Sequence, residues 1–391
     1  MSDVSDEHPL LPSIRAALHT VDDPEIHRPI TDLGMVDDIT CDQEGRVAVR
    51  ILLTTSGCPL RDRLTTDVTA AVSAVEGVTA VSVDLGVMDD EQRSALRTQL
   101  RGGVPEREIP FAKATNHTRV IAVSSGKGGV GKSSVTVNLA LALAADGHKV
   151  GILDADVYGH SIPDMLGIDE DEGPTMLEDV GMLLPVEAQG VKVISVGMMK
   201  PSRDQVVAWR GPILDRALTQ LLADVYWGDL DYLVLDLPPG TGDIAISLGQ
   251  KLPSAEVLVV TTPQQAAAEV AERAGTMAAI MKQKVIGVVE NMAYLETTCP
   301  HCDQPHRVDV FGSGGGQAVA AGLTERLGYE VPLLTEVPLE PDLRACGDAG
   351  TPLVAIDPTR PSAAAIVKLA RHLAGSRRSL VGMQLGLSPV G

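Results

Sequence analysis

Residues 126–134 read GKGGVGKSS, and this glycine-rich stretch decides how the rest of the chain is interpreted. The residues that satisfy the phosphate-loop pattern G-x-x-x-x-G-K-[ST] are Gly126, Gly131, Lys132 and Ser133. Just before the loop, residues 119–125 (RVIAVSS) form an aliphatic run that predicts a buried strand. Residues 134–145 predict a helix with an apolar stripe, so the pattern has the strand, loop and helix context that supports phosphate binding.

The loop suits a nucleotide because backbone N–H groups can wrap a triphosphate only where side chains do not hold the backbone away. The N-terminus of the following helix adds partial positive charge beneath the phosphates. We expect Lys132 to neutralise the β and γ phosphates and the Ser133 hydroxyl to hold Mg²⁺. The residues predicted to contact the nucleotide are Gly126, Lys127, Gly128, Gly129, Val130, Gly131, Lys132, Ser133 and Ser134. A glycine-rich turn without a ligand is the alternative, and Lys127 is not needed for the cradle.

The composition limits the classes of protein to which the chain can belong. Its 391 residues allow two domains or more, and the 44% hydrophobic content supplies enough apolar material for their cores. Because only 2% of the residues are aromatic, aliphatic side chains must pack those cores. The formal net charge of −20 argues against a broad nucleic-acid footprint, which would need concentrated Lys and Arg.

The opening stretch MSDVSDEHPL lacks the basic and apolar regions of a signal peptide, and no segment approaches the apolar length that spans a bilayer. We therefore expect a cytoplasmic protein that acts on neither membrane nor nucleic acid. The five cysteines are Cys41, Cys58, Cys299, Cys302 and Cys346. They are too few and too scattered for a disulfide scaffold, and in a reducing compartment a close pair indicates metal or redox chemistry.

The chain is predicted to be α/β, with a mostly parallel sheet in a larger domain and a small α/β (α+β) domain before it. From about residue 119 onward, aliphatic strands alternate with loops and helices, as expected for strands buried on both faces of a parallel sheet. The elements predicted for the small domain are a helix over 10–21, a strand over 46–53, a helix over 60–75 and a strand over 79–87. The predicted bounds are 1–95 for the small domain, 96–114 for a linker, 115–374 for the larger domain and 375–391 for a tail.

Three aspartates mark the carboxyl ends of two predicted strands. Asp154 and Asp156 close KVGILDAD, and Asp236 closes DYLVLDLP before the turn PPGTGD. Ligands of parallel sheets bind at this edge, where one carboxylate can hold the hydration shell of Mg²⁺ and another can orient an attacking water. Each aspartate alone would be an ordinary loop residue, but together with the phosphate loop they predict a hydrolytic site. The segment 238–242 is a candidate switch loop that responds to loss of the γ phosphate.

Cys299 and Cys302 stand together in the stretch CPHC. Two thiolates at this spacing supply half of the four ligands that a tetrahedral zinc site or an iron–sulfur cubane needs. Because the sequence has no second C-x-x-C, a metal shared across a homodimer would complete the set. His301 and His306 leave open a zinc site within one chain, and a redox dithiol is a further alternative.

The motifs of the larger domain closely resemble those of the deviant phosphate-loop ATPases, the relatives of MinD, ParA and the nitrogenase iron protein, and within them the Mrp/ApbC branch of iron–sulfur cluster carriers. The match spans nearly all of 119–373 and rests on GKGGVGKSS, DADVYGHS (154–161), WRGP (209–212), DLPPGTGD (236–243), VENM (289–292) and CPHC (299–302). The resemblance implies that Lys127 reaches across a dimer interface to the partner's nucleotide and that Asp156 assists hydrolysis. It also implies that Asp236 serves the magnesium ion and that Asn291 touches the adenine.

The small domain resembles the cluster-assembly domain of PaaD- and SufT-like proteins through DDPEIHRPITDLGMV (22–36) and LLTTSGCPL (52–60). Cys58 would lie between a strand and the helix that Pro59 opens, where the helix N-terminus favours a reactive thiolate. It is therefore a candidate cluster-transfer thiol, and a half-buried structural cysteine is the alternative. Cys41 and Cys346 have no partner in the sequence and are interpreted as structural.

These expectations combine into one hypothesis: a homodimeric ATPase that takes an iron–sulfur cluster, [4Fe–4S] from the resemblance, from a donor to apoproteins and uses ATP as a switch. A rival of another class is a positioning or partition ATPase of the MinD or ParA kind that acts on a membrane or DNA. The tail SRRSLVGMQLGLSPVG is broken by Gly and Pro and makes a poor membrane helix, and the rival has no need of CPHC. A zinc-stabilised regulatory ATPase without a cluster is a third possibility.

Overall fold

The computed structural model describes most of the chain. The described residues are 8–24, 26, 28–54, 61–100, 109–113, 115–157, 159, 161–177, 181–199 and 211–376. The chain divides into two units, one of residues 1–106 and 176–182 and the other of residues 107–175 and 183–391. Among the described residues, no helix combines the length and the apolar character needed to cross a bilayer.

The first unit is built around a small sheet. Its strands are β1 (Val36–Cys41), β2 (Arg46–Leu53) and β3 (Ala80–Val87), and its helices are α1 (Leu11–Leu18), α2 (Arg61–Ser73) and α3 (Asp90–Leu100). The strand order is β1-β2-β3, with β1 antiparallel and β3 parallel to β2. Alternation along β2 buries Val47, Val49 and Ile51 while the polar positions between them stay exposed, so one face of the sheet carries the core.

Sequence patterns located β2, α1, α2 and β3 close to their observed bounds, and the α+β character of this unit is confirmed. They missed β1 and α3. The β1 residues VDDITC bury no side chain fully, so the strand lacks a strong apolar alternation. Helix α3 falls in a charged stretch, where few apolar positions mark a helical period.

The strands that follow β3 along the chain are β4 (Arg119–Ser125), β5 (Val150–Asp154), β6 (Thr175–Leu177), β7 (Met182–Leu184), β8 (Val186–Ala188), β9 (Val191–Ser195), β10 (Tyr232–Asp236), β11 (Glu256–Thr261), β12 (Lys284–Asn291), β13 (Leu295–Thr298), β14 (Pro305–Val308) and β15 (Leu333–Val337). Eight of them form one sheet in the order β15-β12-β11-β4-β10-β5-β9-β8. Every pair in it is parallel except β8 and β9 at one edge, which confirms the mostly parallel sheet predicted from the sequence. Two further pairs, β6 with β7 and β13 with β14, form separate two-stranded sheets.

Helices cover both faces of the large sheet. They are α4 (Lys132–Ala145), α5 (Ile162–Met165), α6 (Gly211–Ala223), α7 (Asp243–Lys251), α8 (Gln265–Ile280), α9 (Gly315–Leu327), α10 (Pro341–Asp348), α11 (Leu353–Ile356) and α12 (Pro361–Gly375), with 3₁₀ turns at Pro110–Ala112 and Val196–Met199. One hydrophobic cluster joins the sheet to α6 through α9, and the other joins it to α4, α5, α10, α11 and α12. The consecutive β12 residues Val288 and Val289 belong to different clusters, as expected for a strand buried on both faces.

Helix α4 is the most enclosed helix of this unit. All its residues from 135 to 143 are buried, and it packs against α11, α12 and the sheet. Side chains pack against α4 on every side, so the helix is rigid. It therefore fixes the position of the loop that leads into its N-terminus.

A buried ion pair joins the beginning of β4 to the beginning of β11. The Arg119 guanidinium donates to the Glu256 carboxylate at 2.5 Å, and the two side chains are only 8% and 2% exposed. The same guanidinium also donates to the backbone carbonyls of Leu373 and Ser376 at the end of α12. One side chain thus ties two strands of the sheet to the last helix.

We predict that Arg119→Leu destabilises the protein strongly, because Glu256 would remain buried without a compensating charge. The expected loss of unfolding free energy is about 3–5 kcal/mol, measured by urea denaturation. Arg344→Ala is the control, since Arg344 pairs with Asp348 at the surface and should cost no more than about 1 kcal/mol. A double replacement of Arg119 and Glu256 by Met should recover most of the loss, and equal costs for Arg119→Leu and Arg344→Ala would contradict this account.

Candidate functional site

The phosphate loop joins β4 to α4 and is shaped by two glycines. Gly131 caps α4 with a φ of +79°, in the left-handed region that glycine adopts without strain. A Cβ at Gly131 would overlap the side-chain amide of Asn291, and a Cβ at Gly126 would overlap the backbone of α8. The loop therefore lies pressed between α8 and the end of β12, and larger residues at these two positions would push it out of place.

A cavity of about 630 Å³ opens above the loop. Its walls include most of the residues predicted to contact a nucleotide, namely Lys127, Gly128, Gly129, Gly131, Lys132, Ser133 and Ser134. The opposite wall comes from Gly159, Ser161 and Met165 after β5, and from the Pro238–Gly242 turn after β10. Its size lies within the range of small-molecule and cofactor pockets, so the cavity fits a nucleotide.

Gly126 and Val130 do not line this cavity. Gly126 packs against α8, and the carbonyl of Val130 accepts a hydrogen bond from the Asn291 side-chain amide at 2.9 Å. Both residues shape the loop from beneath. The Asn291 side chain is nearly fully buried, and its Oδ1 has no hydrogen-bond partner among the described residues. Asn291 does not line the cavity either, but its buried acceptor lacks a partner, so a ligand that reached it would gain a hydrogen bond.

The acidic strand ends meet at the edge of the sheet from which the loop leaves. Asp154 and Asp236 lie opposite each other in the parallel pair β5 and β10. Lys132 reaches toward both strands, with its Nζ 2.7 Å from Asp236 Oδ2 and 3.6 Å from Asp156 Oδ2. The Ser133 hydroxyl donates to Asp236 Oδ2 at 2.6 Å. The three predicted aspartates and the two loop residues are thus brought together.

The oxygen atoms of Ser133 and Asp236 fit a magnesium ion. They are hard donors, they belong to rigid elements, and they stand 2.6 Å apart beside the cavity. These two residues would hold Mg²⁺ beside the phosphates, where the ion neutralises developing charge. Lys132 would then bind the β and γ phosphates and neutralise their charge.

Two of the aspartates are fully buried, and burial changes their titration. Desolvation, followed by the nearby charge of Asp236, raises the pKa of Asp154 to about 8. Desolvation also raises the pKa of Asp236, although Lys132 opposes this effect. Asp154 accepts hydrogen bonds from the Ser195 hydroxyl at 2.9 Å and from the backbone N–H of Asp156 at 3.1 Å. Burial and the neighbouring carboxylate therefore favour a protonated Asp154.

The two lysines of the loop have different environments. Lys132 is buried among the carboxylates, whereas Lys127 is exposed and its side chain makes no ion pair or hydrogen bond with any described residue. Lys127 also lines the mouth of the cavity. Its ammonium group is thus free to meet a ligand or another subunit.

The CPHC stretch forms the tip of the β13–β14 hairpin. Thr298 pairs with Pro305 at the end of the ladder, and the turn is closed by hydrogen bonds from Cys299 N to the Gln304 carbonyl and from Asp303 N to the Cys299 carbonyl, each 2.9 Å. Cys302 is exposed and Cys299 is partly exposed. Hydrogen bonds from the backbone N–H groups of His301 and Cys302, and from the Cys302 thiol, lower the pKa of Cys299. The turn therefore presents two accessible sulfur atoms and favours the thiolate of one.

The described part of the chain gathers no group of three or more His, Cys, Asp or Glu side chains that could hold a metal ion. His301 and His306 therefore do not complete a zinc site with the two cysteines of the hairpin. Cys41 and Cys346 are free and partly exposed. Cys58, the candidate transfer thiol, lies outside the described residues.

Sequence reasoning missed two hydroxyl groups of this site. Thr136 donates to Asp236 Oδ1 at 2.8 Å, and Ser195 donates to Asp154 Oδ2. Thr136 stands one helical turn after Lys132, so its position relative to the loop was a usable signal. Ser195 ends β9, far from the motif in the sequence, and no pattern linked it to the site.

The fold and the site together define a nucleotide-binding protein of the P-loop class, with a parallel sheet and acidic strand ends beside the loop. The chain belongs to the family described as the ParA, NUBPL iron-transfer P-loop NTPases, whose model matches residues 116–374. A second family model, described as iron-sulfur cluster assembly protein, matches residues 12–83. Membership in a P-loop NTPase family implies ATPase activity.

Curated relatives match nearly the whole chain. A protein from Mycobacterium tuberculosis (strain ATCC 25618 / H37Rv), named iron-sulfur cluster carrier protein, is 54% identical over 377 residues and the match covers 96% of each chain. A Deinococcus radiodurans protein of the same name is 42% identical over 360 residues, covering 92% of this chain and 93% of that one. The structure of a nucleotide-binding protein from Archaeoglobus fulgidus in complex with ADP is 37% identical, with a TM-score of 0.52, and covers 66% of this chain and 96% of that chain. These findings confirm the resemblance inferred from the motifs.

We predict that Asp154 lowers the stability of the protein as the pH rises from about 4 to about 8. In this window the folded protein keeps a proton on Asp154, whose pKa is raised to about 8, while the unfolded chain has lost it. Unfolding then releases a proton, so the contribution of Asp154 to the slope is at most about 1.4 kcal/mol per pH unit.

Urea denaturation of the wild type and Asp154→Asn across this window measures the effect, and the variant should show the flatter dependence. Asp357→Asn is the control, because the hydrogen bond from the Thr359 hydroxyl lowers the pKa of Asp357, so this carboxylate titrates below the window. Identical slopes for the wild type and Asp154→Asn would show that Asp154 is not the group responsible.

Proposed function

We propose that two copies of this chain carry one iron–sulfur cluster between them, bind and hydrolyse ATP, and deliver the cluster to apoproteins. The observation that carries the proposal is the pair of accessible sulfur atoms at the tip of the β13–β14 hairpin, on the same domain as a complete phosphate loop. The names of the relatives support a cluster carrier over a positioning or partition ATPase. A [4Fe–4S] cluster is the form we propose.

The ligand count supports a cluster shared by two subunits. Cys299 and Cys302 provide two thiolates, and a cubane needs four ligands. No third metal-ligating side chain joins them within the described residues, so a second hairpin related by a two-fold axis is the natural source of the other two. Delivery is then a ligand exchange, in which thiolates of the client replace those of Cys299 and Cys302 on iron and no electron is transferred.

The nucleotide half of the proposal assigns one task to each group beside the cavity. Lys132 neutralises the β and γ phosphates, while Ser133 and Asp236 hold Mg²⁺. Asp156 lies at the same sheet edge, 3.6 Å from the Lys132 ammonium, and can orient the attacking water. The open Oδ1 of Asn291 can accept a hydrogen bond from the adenine amino group.

Lys127 is proposed to reach the nucleotide of the other subunit. Its exposure supports this role, because the Lys127 ammonium lines the cavity and forms no ion pair with a described carboxylate, so it is available to a second subunit. ATP would then stabilise one arrangement of the two subunits, and hydrolysis would release it, with the 238–242 turn as the responding segment.

The small domain, the linker and the tail supply none of the described residues that line the nucleotide cavity. The domain bounds 1–95, 96–114, 115–374 and 375–391 stay a prediction, as does the transfer role of Cys58 in the small domain. We propose a cytoplasmic protein with a cluster donor and apoproteins as partners, since reducing conditions keep cysteine thiols free for metal.

We predict that Cys299→Ala and Cys302→Ala each abolish cluster binding while nucleotide affinity stays within about twofold of the wild type. Each change removes two of four ligands from a dimer, and neither residue lines the nucleotide cavity. Anaerobic reconstitution followed by iron and sulfide counting and absorption spectroscopy measures the outcome. Cys346→Ala, which removes another free cysteine, should retain the cluster. A full complement of iron and sulfide in either hairpin variant would refute the shared-cluster model, and zinc in place of iron would favour the regulatory alternative.

We predict that the two loop lysines affect different steps. Lys132→Ala should weaken ATP binding by about tenfold or more, because a buried charge that meets the phosphates is lost. Lys127→Ala should leave binding near the wild-type value and slow hydrolysis in a manner that depends on protein concentration, since its proposed partner is another subunit. Equilibrium nucleotide binding and steady-state hydrolysis over a range of concentrations separate the two. Lys368→Ala, at an exposed position on α12, controls for loss of a surface charge, and equal losses of affinity in both loop variants would argue against a role of Lys127 across the interface.

A further inference from the structure

The two oxygens of the Asp236 carboxylate have different kinds of partner. Oδ2 receives the Lys132 ammonium at 2.7 Å and the Ser133 hydroxyl at 2.6 Å. Among the described residues, Oδ1 accepts a hydrogen bond only from the Thr136 hydroxyl, at 2.8 Å. Asp236 and Thr136 are both fully buried, so these contacts lie inside the protein.

The partners of Oδ2 are groups that the nucleotide itself needs. Under the proposed function Lys132 turns to the phosphates and Ser133 turns to Mg²⁺, so both must leave Asp236 Oδ2 when the nucleotide binds. A buried carboxylate that loses its donors is strongly destabilised and can rotate away from its position. Something must therefore hold Asp236 while its other partners exchange.

Thr136 can keep its hydrogen bond to Asp236 when a nucleotide binds. It lies on the second turn of α4, is not among the described residues that line the cavity, and so is not displaced by a ligand there. Its Oγ1 is also 3.0 Å from the carbonyl of Lys132, one turn earlier in the helix. The hydroxyl has one proton for two acceptors, the Lys132 carbonyl and the Asp236 carboxylate. It donates preferentially to the carboxylate, because hydrogen bonds to an ionised acceptor are stronger.

We propose that Thr136 is a positioning residue for magnesium: by holding Oδ1 of Asp236, it keeps Oδ2 directed at the place where the ion and its hydration shell bind. This inference rests on the nucleotide half of the proposed function and adds a residue to it. As a consequence, the hydroxyl of Thr136 controls how much Mg²⁺ strengthens nucleotide binding. The affinity for nucleotide without Mg²⁺ depends on the loop and Lys132 and does not depend on Thr136.

A purely structural role predicts something different. Threonine in a helix often bonds back to the carbonyl of the preceding turn, and the bond to Lys132 would then be the whole purpose of the hydroxyl. Removing such a bond would weaken the fold or shift all nucleotide affinities together. The ratio of affinities with and without Mg²⁺, measured within one variant, would not change.

The experiment measures the affinity of the full-length protein for a non-hydrolysable ATP analogue, once with Mg²⁺ and once with EDTA. The variants are Thr136→Val, which keeps the shape and removes the hydroxyl, and Thr136→Ser, which keeps the hydroxyl. Thr276→Val on α8 is the matched control, because the Thr276 hydroxyl makes the same kind of back-bond, to the Glu272 carbonyl at 2.7 Å, with no carboxylate partner. Thr136→Ala is the second variant if Thr136→Val does not fold.

We expect Thr136→Val and Thr136→Ala to lose about tenfold of the Mg²⁺-dependent gain in affinity, with the value in EDTA within about twofold of the wild type. Thr136→Ser and Thr276→Val should keep the wild-type ratio. An unchanged ratio in the variants that lack the hydroxyl, or an equal loss in Thr136→Ser, would overturn the role of Thr136 alone. A wild-type protein whose nucleotide affinity does not respond to Mg²⁺ would overturn the proposed nucleotide site and this inference together.

Discussion

The parallel register of the three central strands is the constraint on which the rest of the site depends. Asp236 of β10 lies opposite Val123 of β4 on one side and Asp154 of β5 on the other. Because β4 continues directly into the phosphate loop, this register places two carboxylates beside the loop without any further adjustment. A slip of one residue would turn each of these side chains to the other face of the sheet. The buried helix α4 and the tight contact of the loop with α8 hold the other half of the site against this edge.

The burial of charge explains how the side chains of the site are held together. Two fully buried aspartates on adjacent strands concentrate negative charge, and Lys132 supplies the positive charge that opposes it. The hydroxyl groups of Ser133, Thr136 and Ser195 satisfy carboxylate oxygens, and the raised pKa of Asp154 reduces the remaining repulsion. The groups that hold these carboxylates are therefore largely those that a magnesium nucleotide would recruit. Binding has to exchange these contacts rather than simply add new ones.

The end of β12 contacts the phosphate loop and also leads into the cysteine hairpin. Asn291, the last residue of β12, holds the loop carbonyl of Val130 at 2.9 Å. Met292 follows with a φ of +55°, and the N–H of Ala293 donates to the Val337 carbonyl at 3.0 Å, so the chain leaves the sheet by a tightly defined turn. Strand β13 and the CPHC turn come directly after it. The nucleotide site and the two sulfur atoms are thus separated by one short, anchored segment of backbone.

Local patterns were enough to predict the fold class, the phosphate loop, the acidic strand ends and the cysteine pair, because each depends on spacing and on the hydrophobicity of neighbouring residues. The same patterns missed β1 and α3, whose apolar periodicity is weak. Which side chains meet became visible only in the folded chain. Thr136 with Asp236, and Ser195 with Asp154, join residues far apart in the chain. Within the described residues, His301 joins no group of metal-ligating side chains, although it stands between the two cysteines. Such contacts depend on strand order and register, which no local pattern specifies.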